Sequence, residues 1–383
     1  MQTVRIAHLS DTHLGYKQYG LEDRERDIYS SLEEIGDKIL EAHADIVVHT
    51  GDLFDSSRPT PQAYRAFKKF LKRIGGRVKV FAVLGDHDRP KSQGLAPHYL
   101  FDDQIQILGV NWTAQQQVLS VGGRDVLVAG LSNVSRTYRV IMQEELKKLA
   151  DLDLSGKVAV LLLHEGIDRF LPYEGAFELG LDEVPKNFDY VAMGHLHSRI
   201  KASVGRGELA YPGSSEIISR SEVDEWRKNG KGFFIVDVEQ GRVDVQPVNL
   251  ECIRPQLEVK LKYSRLDEEL ERLAKSLNGF EKKPLVHVKI EGKNIDRQSV
   301  YSALNEHLAG LVLQFRQEFL DEAVERLPEV KSGAFQVSQV IQEYFKEPAV
   351  SGLALELWRH LRAGDVDEAK VVAEDYYQRE NPA

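Results

Sequence analysis

Cysteine is almost missing. Cys252 is the only one in 383 residues, which excludes an internal disulfide and any cysteine-based metal cluster and fits a reducing compartment, so a cytoplasmic location is expected. Long hydrophobic runs are missing as well. No stretch approaches the roughly 18 apolar residues of a membrane span, and the start, MQTVRIAHLSDTH, carries Arg5 and His8 where a signal peptide would need an apolar core. No membrane partner is expected. Low-complexity tracts and internal repeats are absent. An excess of basic charge is also lacking. The formal net charge of −10 argues against a protein that coats nucleic acid passively, because binding phosphate by counterion release needs a basic surface. An enzyme that holds phosphates on metal ions escapes that objection. What remains, 42% apolar and 29% charged residues, is a globular composition, and the length suits two or three cores at about 100–200 residues per domain.

Five short apolar runs, VRIAHL, ADIVVH, VKVFAVL, VAVLLL and YVAMG, are too short for buried helices and rich in β-branched residues, so they predict buried strands. Ile28, Leu32, Ile35 and Ile39 recur at helical spacing after the first run. Tyr64, Phe67, Leu71 and Ile74 do so after the second, behind Pro61 as a start signal. This βαβαβ order predicts a largely parallel central sheet with helices on its faces. Around residues 118–131 and 232–248 the pattern shifts to alternating strands with glycine turns, which predicts a second, more antiparallel sheet packed on the first. The expected fold class is α/β, a two-sheet sandwich with helices outside, over residues 1–250. Past Pro255 the pattern restarts: a strand (Leu257, Val259, Leu261), a helix (Leu266–Leu277), a strand (Val286, Val288, Ile290), a helix (300–308) and a strand (311–315). These predict a small α+β module within residues 251–327. Residues 328–383 show only helical patterns, over 337–345, over 353–361, and from Asp365 as N-cap to Tyr377. Short helices bury little alone, so this tail is expected to dock on a partner.

Each of the five apolar runs ends in residues of metal-ligand type: Asp11 and His13; Asp52 and Asp55; Asp86, His87 and Asp88; His164; His195 and His197. Ligands in open α/β sheets bind at the carboxyl ends of strands, so the five loops are expected to converge. Asp and His without Cys suit hard or borderline divalent ions such as Mn²⁺. The matching chemistry uses two cations about 3.5–4 Å apart that share a carboxylate, polarise a phosphoryl oxygen and generate hydroxide near neutral pH. Asp52 is the natural bridge. Alternation along an extended segment lets Asp11 and His13, or His195 and His197, address one site. Singly, each residue has a plainer role: an Asp after a strand caps a turn or helix, and His8 and His49 inside strands read as core histidines. Five such groups at five consecutive strand ends are not explained that way.

In order and spacing, Asp11-x-His13, Gly51-Asp52-x-x-Asp55, Gly85-Asp86-His87-Asp88, His164 and Gly194-His195-x-His197 resemble the full signature of the calcineurin-like metallophosphoesterases. Within them HLSDTHLGYKQYG, HTGDLFDSSRP, GHLHSR and YPGSSE closely resemble the meiotic-recombination-eleven nucleases and their bacterial SbcD counterparts. The resemblance is strong over about residues 1–250. The rest matches in layout only, as a DNA-capping domain (251–327) and a helical segment (328–383) that binds a coiled-coil ABC-type ATPase. The resemblance implies two Mn²⁺ per chain, one held by Asp11, His13, Asp52 and His197, the other by Asp52, Asp86, His164 and His195. It implies that His87 acts near the scissile phosphate and that Asp55 orients His87. It also implies a homodimer that processes DNA ends in double-strand-break repair, as a 3′–5′ exonuclease and single-strand endonuclease. One position departs from it. The family usually has Asn where this chain has Asp86, which keeps an oxygen ligand, adds a negative charge and loses the amide donor that would face a phosphate.

Arg58, Arg89 and Arg199 lie within a few residues of candidate ligands and are read as phosphate contacts in preference to solvated surface charge. Tyr16, Lys17 and Tyr19 fit a nucleic-acid contact and a plain surface loop equally well. The helix around residues 64–74 and the segment 95–101 carry more apolar residues than one face needs, as core or as a dimer interface, and the resemblance favours the dimer. The same metals would serve a small-molecule phosphodiesterase or a phosphoprotein phosphatase. With Asp86, a scaffold that only tethers DNA and its ATPase is a further reading. The extra module and helical tail favour the nuclease.

Overall fold

The chain enters on β1 (Val4–Leu9), crosses through α1 (Glu22–Glu41) to β2 (Ile46–Thr50), and through α2 (Pro61–Ile74) to β3 (Lys79–Val83) and β4 (Ile105–Ile107). There follow β5 (Gln115–Val121), β6 (Arg124–Leu131), α3 (Arg139–Ala150), β7 (Val158–His164) and β8 (Tyr190–Gly194). Then come β9 (Ile200–Val204), β10 (Gly207–Tyr211), α4 (Val223–Asn229), β11 (Gly232–Glu239) and β12 (Arg242–Asn249). This is a computed structural model, and it describes residues 3–76, 78–90, 94–171, 178–239, 241–321, 337–362, 369–373 and 376.

Two six-stranded sheets result, ordered β12-β11-β1-β2-β3-β4 and β5-β6-β7-β8-β10-β9. The two-sheet α/β sandwich is as expected, but the five apolar runs do not share one sheet. β1, β2 and β3 pair in parallel in the first, β7 and β8 in the second. Nor do the hairpins make a sheet of their own. β11 joins the first sheet antiparallel to β1 and carries β12 antiparallel on its far side, and β5 and β6 extend the second, with β6 parallel to β7. An apolar run marks a strand covered on both faces, and both sheets contain such strands, so the runs report burial and not sheet membership.

Alternation along β1 shows how the layers are made. Val4 and Ile6 face the seam between the sheets, where Ile46, Val48 and Phe81 meet Val126, Val128, Val160 and Leu162. Ala7 and Leu9 face the other way, onto Ile28, Leu32 and Ile35 of α1 and Phe67, Phe70 and Leu71 of α2. α2 begins with Pro61 in its first turn and Thr60 accepting the Ala63 N–H, and it ends at Gly75, whose φ of +72° suits only glycine without strain. The apolar surplus of this helix is therefore mostly core. Leu95 and Leu100 in the segment after β3 are exposed.

β13 (Gln256–Lys262), α5 (Leu266–Leu277), β14 (Leu285–Gly292), α6 (Arg297–Leu308) and β15 (Gln314–Asp321) build a three-stranded parallel sheet, β13-β14-β15. Helical crossovers are what parallel neighbours require. Leu270, Leu273, Leu304 and Leu308 cover Val286, Val288 and Ile290. The last strand lies later than the expected 311–315. Val312 belongs to the core before the strand begins, and the strand itself, QFRQEFLD, is an edge in which Phe315 and Phe319 pack on the core while Arg316, Gln317 and Glu318 are exposed. Buried charges hold this sheet's entry to α1: Asp27 takes Arg24 at 2.7 Å and Arg254 at 2.6 Å.

Residues Met1–Ile167 with Glu178–Val324 form one unit, and Asp168–Phe177 with Glu325–Ala383 a second. In the second, α7 (Val337–Tyr344) and α8 (Pro348–Arg362) are described, and residues 369–373 and 376 are helical. Asp365 and Tyr377, the expected ends of a third helix, and the expected boundary at 327–328 lie outside the described residues. On α8, Leu353, Leu357 and Trp358 are half-buried and Leu361 is exposed. Among the described residues no helix is long and apolar enough to cross a membrane.

Candidate metal centre

The loops after β1, β2, β3, β7 and β8 meet, three from one sheet and two from the other. Turning the strand ends inward takes backbone that L-residues seldom adopt. Asp11, His13, Asp52 and His195 have φ of +50°, +44°, +53° and +93°. Such conformations cost on the order of 1–3 kcal/mol each and cluster at functional sites. Close approach does the rest. A Cβ on Gly194 would lie 1.9 Å from the Thr50 carbonyl oxygen, and one on Gly51, itself at φ +88°, 2.3 Å from His164 Nδ1. The loops can lie this close only over glycine.

Candidate ligand atoms gather in overlapping groups, each within 4.8 Å: Asp11, His13 and His197; Asp11, Asp52 and His164; Asp86, His164 and His195. His13 Nε2 and His197 Nε2 face each other at 3.2 Å. His197 Nδ1 donates to Glu222 Oε1 at 3.0 Å, and His13 Nδ1 faces the Asp55 carboxylate at 3.4 Å. The Glu222 carboxylate puts hydrogen on His197 Nδ1, so that ring turns its Nε2 inward, toward Nε2 of His13. His164 repeats the arrangement: Nδ1 donates to the Thr50 carbonyl at 2.6 Å, while Nε2 lies 3.2 Å from Asp86 Oδ1 and 3.5 Å from Asp52 Oδ2. Imidazole nitrogens and carboxylates that converge this closely fit cations, and a donor set of Asp oxygen and imidazole nitrogen fits hard or borderline divalent ions.

The electrostatics agree. Burial alone would lower the His164 pKa, but the Asp52 and Asp86 carboxylates outweigh it and hold it well above the ordinary value. His195 shifts upward against its own burial beside Asp86. Burial would raise Asp52, yet His164 and His13 bring it to about 2, and Asp86 is lowered further by His164 and His195. Ionised carboxylates around imidazoles that attract a proton describe a place where proton and metal compete.

Three neighbours have other work. Asp88 is buried and accepts the N–H groups of Leu53, Phe54 and Gly85 at 3.3, 3.0 and 3.0 Å, which ties the β2 loop to the β3 loop. His8 meets Tyr190 Oη at 2.6 Å and Thr50 Oγ1 at 3.0 Å, and burial pulls its pKa down to about 3. His49 is also buried, with Nε2 3.1 Å from Thr12 Oγ1.

His87 stands beside a groove of about 520 Å³ lined by Asp55, Arg58, Asp86, His87, Arg89 and Leu95, among others. Its Nδ1 lies 2.8 Å from the backbone carbonyl of Asp55, whereas the Asp55 carboxylate is 3.9 Å away and nearer His13. Residue 55 thus holds His87 through its main chain. Arg58 and Arg89 face the groove. Arg199 does not: it donates to the carbonyls of Asn229 and Val248 and to the Asn249 side chain, over the Phe234 ring. Lys17 pairs with Glu25 at 3.2 Å, Tyr16 packs on the core under α1 and α2, and Tyr19 lies against His287 and Arg316. Sequence reasoning passed over Asn133, whose Nδ2 donates to the His164 carbonyl at 3.1 Å, and Glu222. Neither sits at a fixed offset from a ligand, so only the fold reveals them.

Residues 4–199 match the calcineurin-like phosphoesterase family. The chain is 32% identical over 368 residues to the DNA double-strand break repair protein Mre11 of Thermoplasma acidophilum, covering 94% of this chain and 95% of that one. It is 31% identical over 387 residues to the protein of that name from Methanococcus maripaludis, covering 98% and 99%. Among solved structures, a dimetal phosphatase from Danio rerio aligns with 64% of this chain and 96% of its own, at 13% identity and a TM-score of 0.40.

Proposed function

This chain belongs to the calcineurin-like phosphoesterase family, among the Mre11 DNA double-strand-break repair proteins, and on that footing we propose that it is a Mn²⁺-dependent nuclease that trims DNA ends. Asp11, His13, Asp52 and His197 would hold one ion, and Asp52, Asp86, His164 and His195 the other. The observation that carries this reading is the convergence of the His13, His164 and His197 Nε2 atoms and the Asp11, Asp52 and Asp86 carboxylates in overlapping groups. When bound, two such cations supply Lewis-acid polarisation of a phosphoryl oxygen and a hydroxide near neutral pH. The chain's own part is positioning and proton transfer. Asp52 Oδ2 lies 3.8 Å from His13 Nε2 and 3.5 Å from His164 Nε2, between the two sets, as a shared carboxylate would. His87, with Nδ1 held by the Asp55 carbonyl and Nε2 4.0 Å from Asp86 Oδ2, would stabilise charge or give a proton to the leaving oxygen. Arg58 and Arg89 would neutralise phosphates of a strand lying in the groove.

By the same resemblance, residues 251–327 cap the DNA, and the stripe Leu353, Leu357, Trp358 and Leu361 on α8 docks on a coiled-coil ABC-type ATPase, with the spacing of a groove-binding helix. Leu95 and Leu100 would face a second copy. Asp86 favours one other reading, a tether of weak activity, because it places a negative charge where a phosphodiester must sit. The purified chain with Mn²⁺ should be offered labelled single-stranded and duplex DNA, a small phosphodiester and a phosphopeptide. The nuclease expects DNA to be degraded, chelator to stop it and Mn²⁺ to restore it. Turnover of the small ester with DNA untouched would replace the nuclease, and tight DNA binding without turnover would establish the tether.

A further inference from the structure

Behind His197 lies a charge pair for which the ligand set has no use. Glu222 just before α4 and Lys231 just before β11 are 5% and 2% exposed. Every polar atom of the pair is engaged. Glu222 Oε1 accepts from His197 Nδ1 at 3.0 Å and from the Ser219 N–H at 2.9 Å. Oε2 accepts from Lys231 Nζ at 2.6 Å and from the Ile218 N–H at 3.3 Å, with Ser214 Oγ at 2.9 Å. Lys231 spends its other two hydrogens on Ser214 Oγ at 2.6 Å and the His197 carbonyl at 2.9 Å. Both ends of His197, ring and main chain, are thus held by one ion pair.

Stability does not explain it, since a buried ion pair is often no better than apolar residues of the same volume. Comparison of the rings does. His164 Nδ1 donates to a neutral carbonyl, and His13 Nδ1 faces a partly exposed carboxylate at the longer distance of 3.4 Å. His197 alone is backed by a buried, fully hydrogen-bonded carboxylate. A carboxylate at Nδ1 fixes the tautomer and makes the opposite nitrogen a better electron donor. Lys231 matters because it pins Oε2, so the carboxylate cannot swing to take a cation itself, and the pair stays neutral overall.

We propose that Glu222, held by Lys231, is a positioning residue that fixes His197 with hydrogen on Nδ1 and strengthens its Nε2, making the cation position of Asp11, His13 and His197 the tighter of the two. The inference rests on the two-cation reading of the site. It predicts unequal loading: the position backed by Glu222 fills first.

The test is a Mn²⁺ titration of the full chain by calorimetry and electron paramagnetic resonance, without nucleic acid. Wild type should show two classes of site. In Glu222→Gln the amide cannot accept at both oxygens, and its NH₂ confronts either Lys231 Nζ or the His197 Nδ1–H. The tighter class should weaken roughly 10- to 100-fold while the weaker class stays within about twofold. Nitrogen NMR of the metal-free protein should show His197 losing its single tautomer. Because a stranded Lys231 charge can unfold the single variant, Glu222→Gln with Lys231→Met supplies a second, charge-free version that should show the same selective loss. An unchanged tight class in a folded variant, or equal weakening of both classes, would overturn the proposal. A wild type without two Mn²⁺ sites would instead overturn the two-cation reading, and this inference with it.

Discussion

Among the imidazoles that rim the centre, that of His87 is the most open, 44% exposed against 31% for His195 and 26% for His197. An open ring on the groove wall suits a group that acts on substrate. His87→Ala should fold and bind Mn²⁺ normally yet lose about 10²–10⁴ in kcat on DNA. Initial rates at saturating Mn²⁺, beside metal content, check this, and near-wild-type rates would remove His87 from the mechanism. Asp86→Asn should act in the opposite direction. Asp86 Oδ1 faces His164 and His195 at 3.2 and 3.4 Å, and Asn there keeps an oxygen while adding a donor for phosphate. A hydrogen bond to a charged group is worth about 1.5–3 kcal/mol and 1.36 kcal/mol is about tenfold, so a ten- to hundredfold gain is expected. Looser cation binding opposes it at low Mn²⁺, which makes a Mn²⁺ titration the proper measurement. No gain at saturation would mean that Asp86 does not face the substrate. The candidate ligands were legible because each follows an apolar run directly, a purely local signal. Arg199 and Glu222 were not, because the partners that define them lie 25 to 50 positions away.

For the elements, strand and helix positions followed from periodicity, and α5 matches its expected span residue for residue. Which sheet a strand joins did not follow. β3 and β7 carry the same kind of apolar run, and their separation into two layers depends on pairing across the fold, which no local pattern encodes. β15 was misplaced for a related reason: an edge strand with Arg316, Gln317 and Glu318 exposed resembles a surface segment. The grip of the small sheet on α1 was equally hidden, since Asp27 looks like any helical surface acid. Asp27→Ala should cost about 3–5 kcal/mol, because it leaves Arg24 and Arg254 buried beside a missing partner. Denaturant midpoints would show it, and a change under about 1 kcal/mol would mean that Glu216, also within reach of Arg24, compensates.

On the scale of the whole molecule, ending the chain after Lys331 should preserve Mn²⁺-dependent DNA degradation, since every candidate ligand lies in the first unit, and should abolish co-purification with the ATPase. Full-strength co-purification of the shortened chain would move the docking surface elsewhere. The division of the ligands between two sheets carries a further consequence. Cations seated there would work as rivets through the seam, joining the ends of β2 and β3 to those of β7 and β8. Each ion bound at 100 times its Kd adds about 2.7 kcal/mol to the folded state. A chelator should therefore lower the Tm by several degrees and quicken amide exchange along β2 and β7, with no DNA present. Cation supply would then govern how long the protein resists proteolysis as well as how fast it turns over substrate.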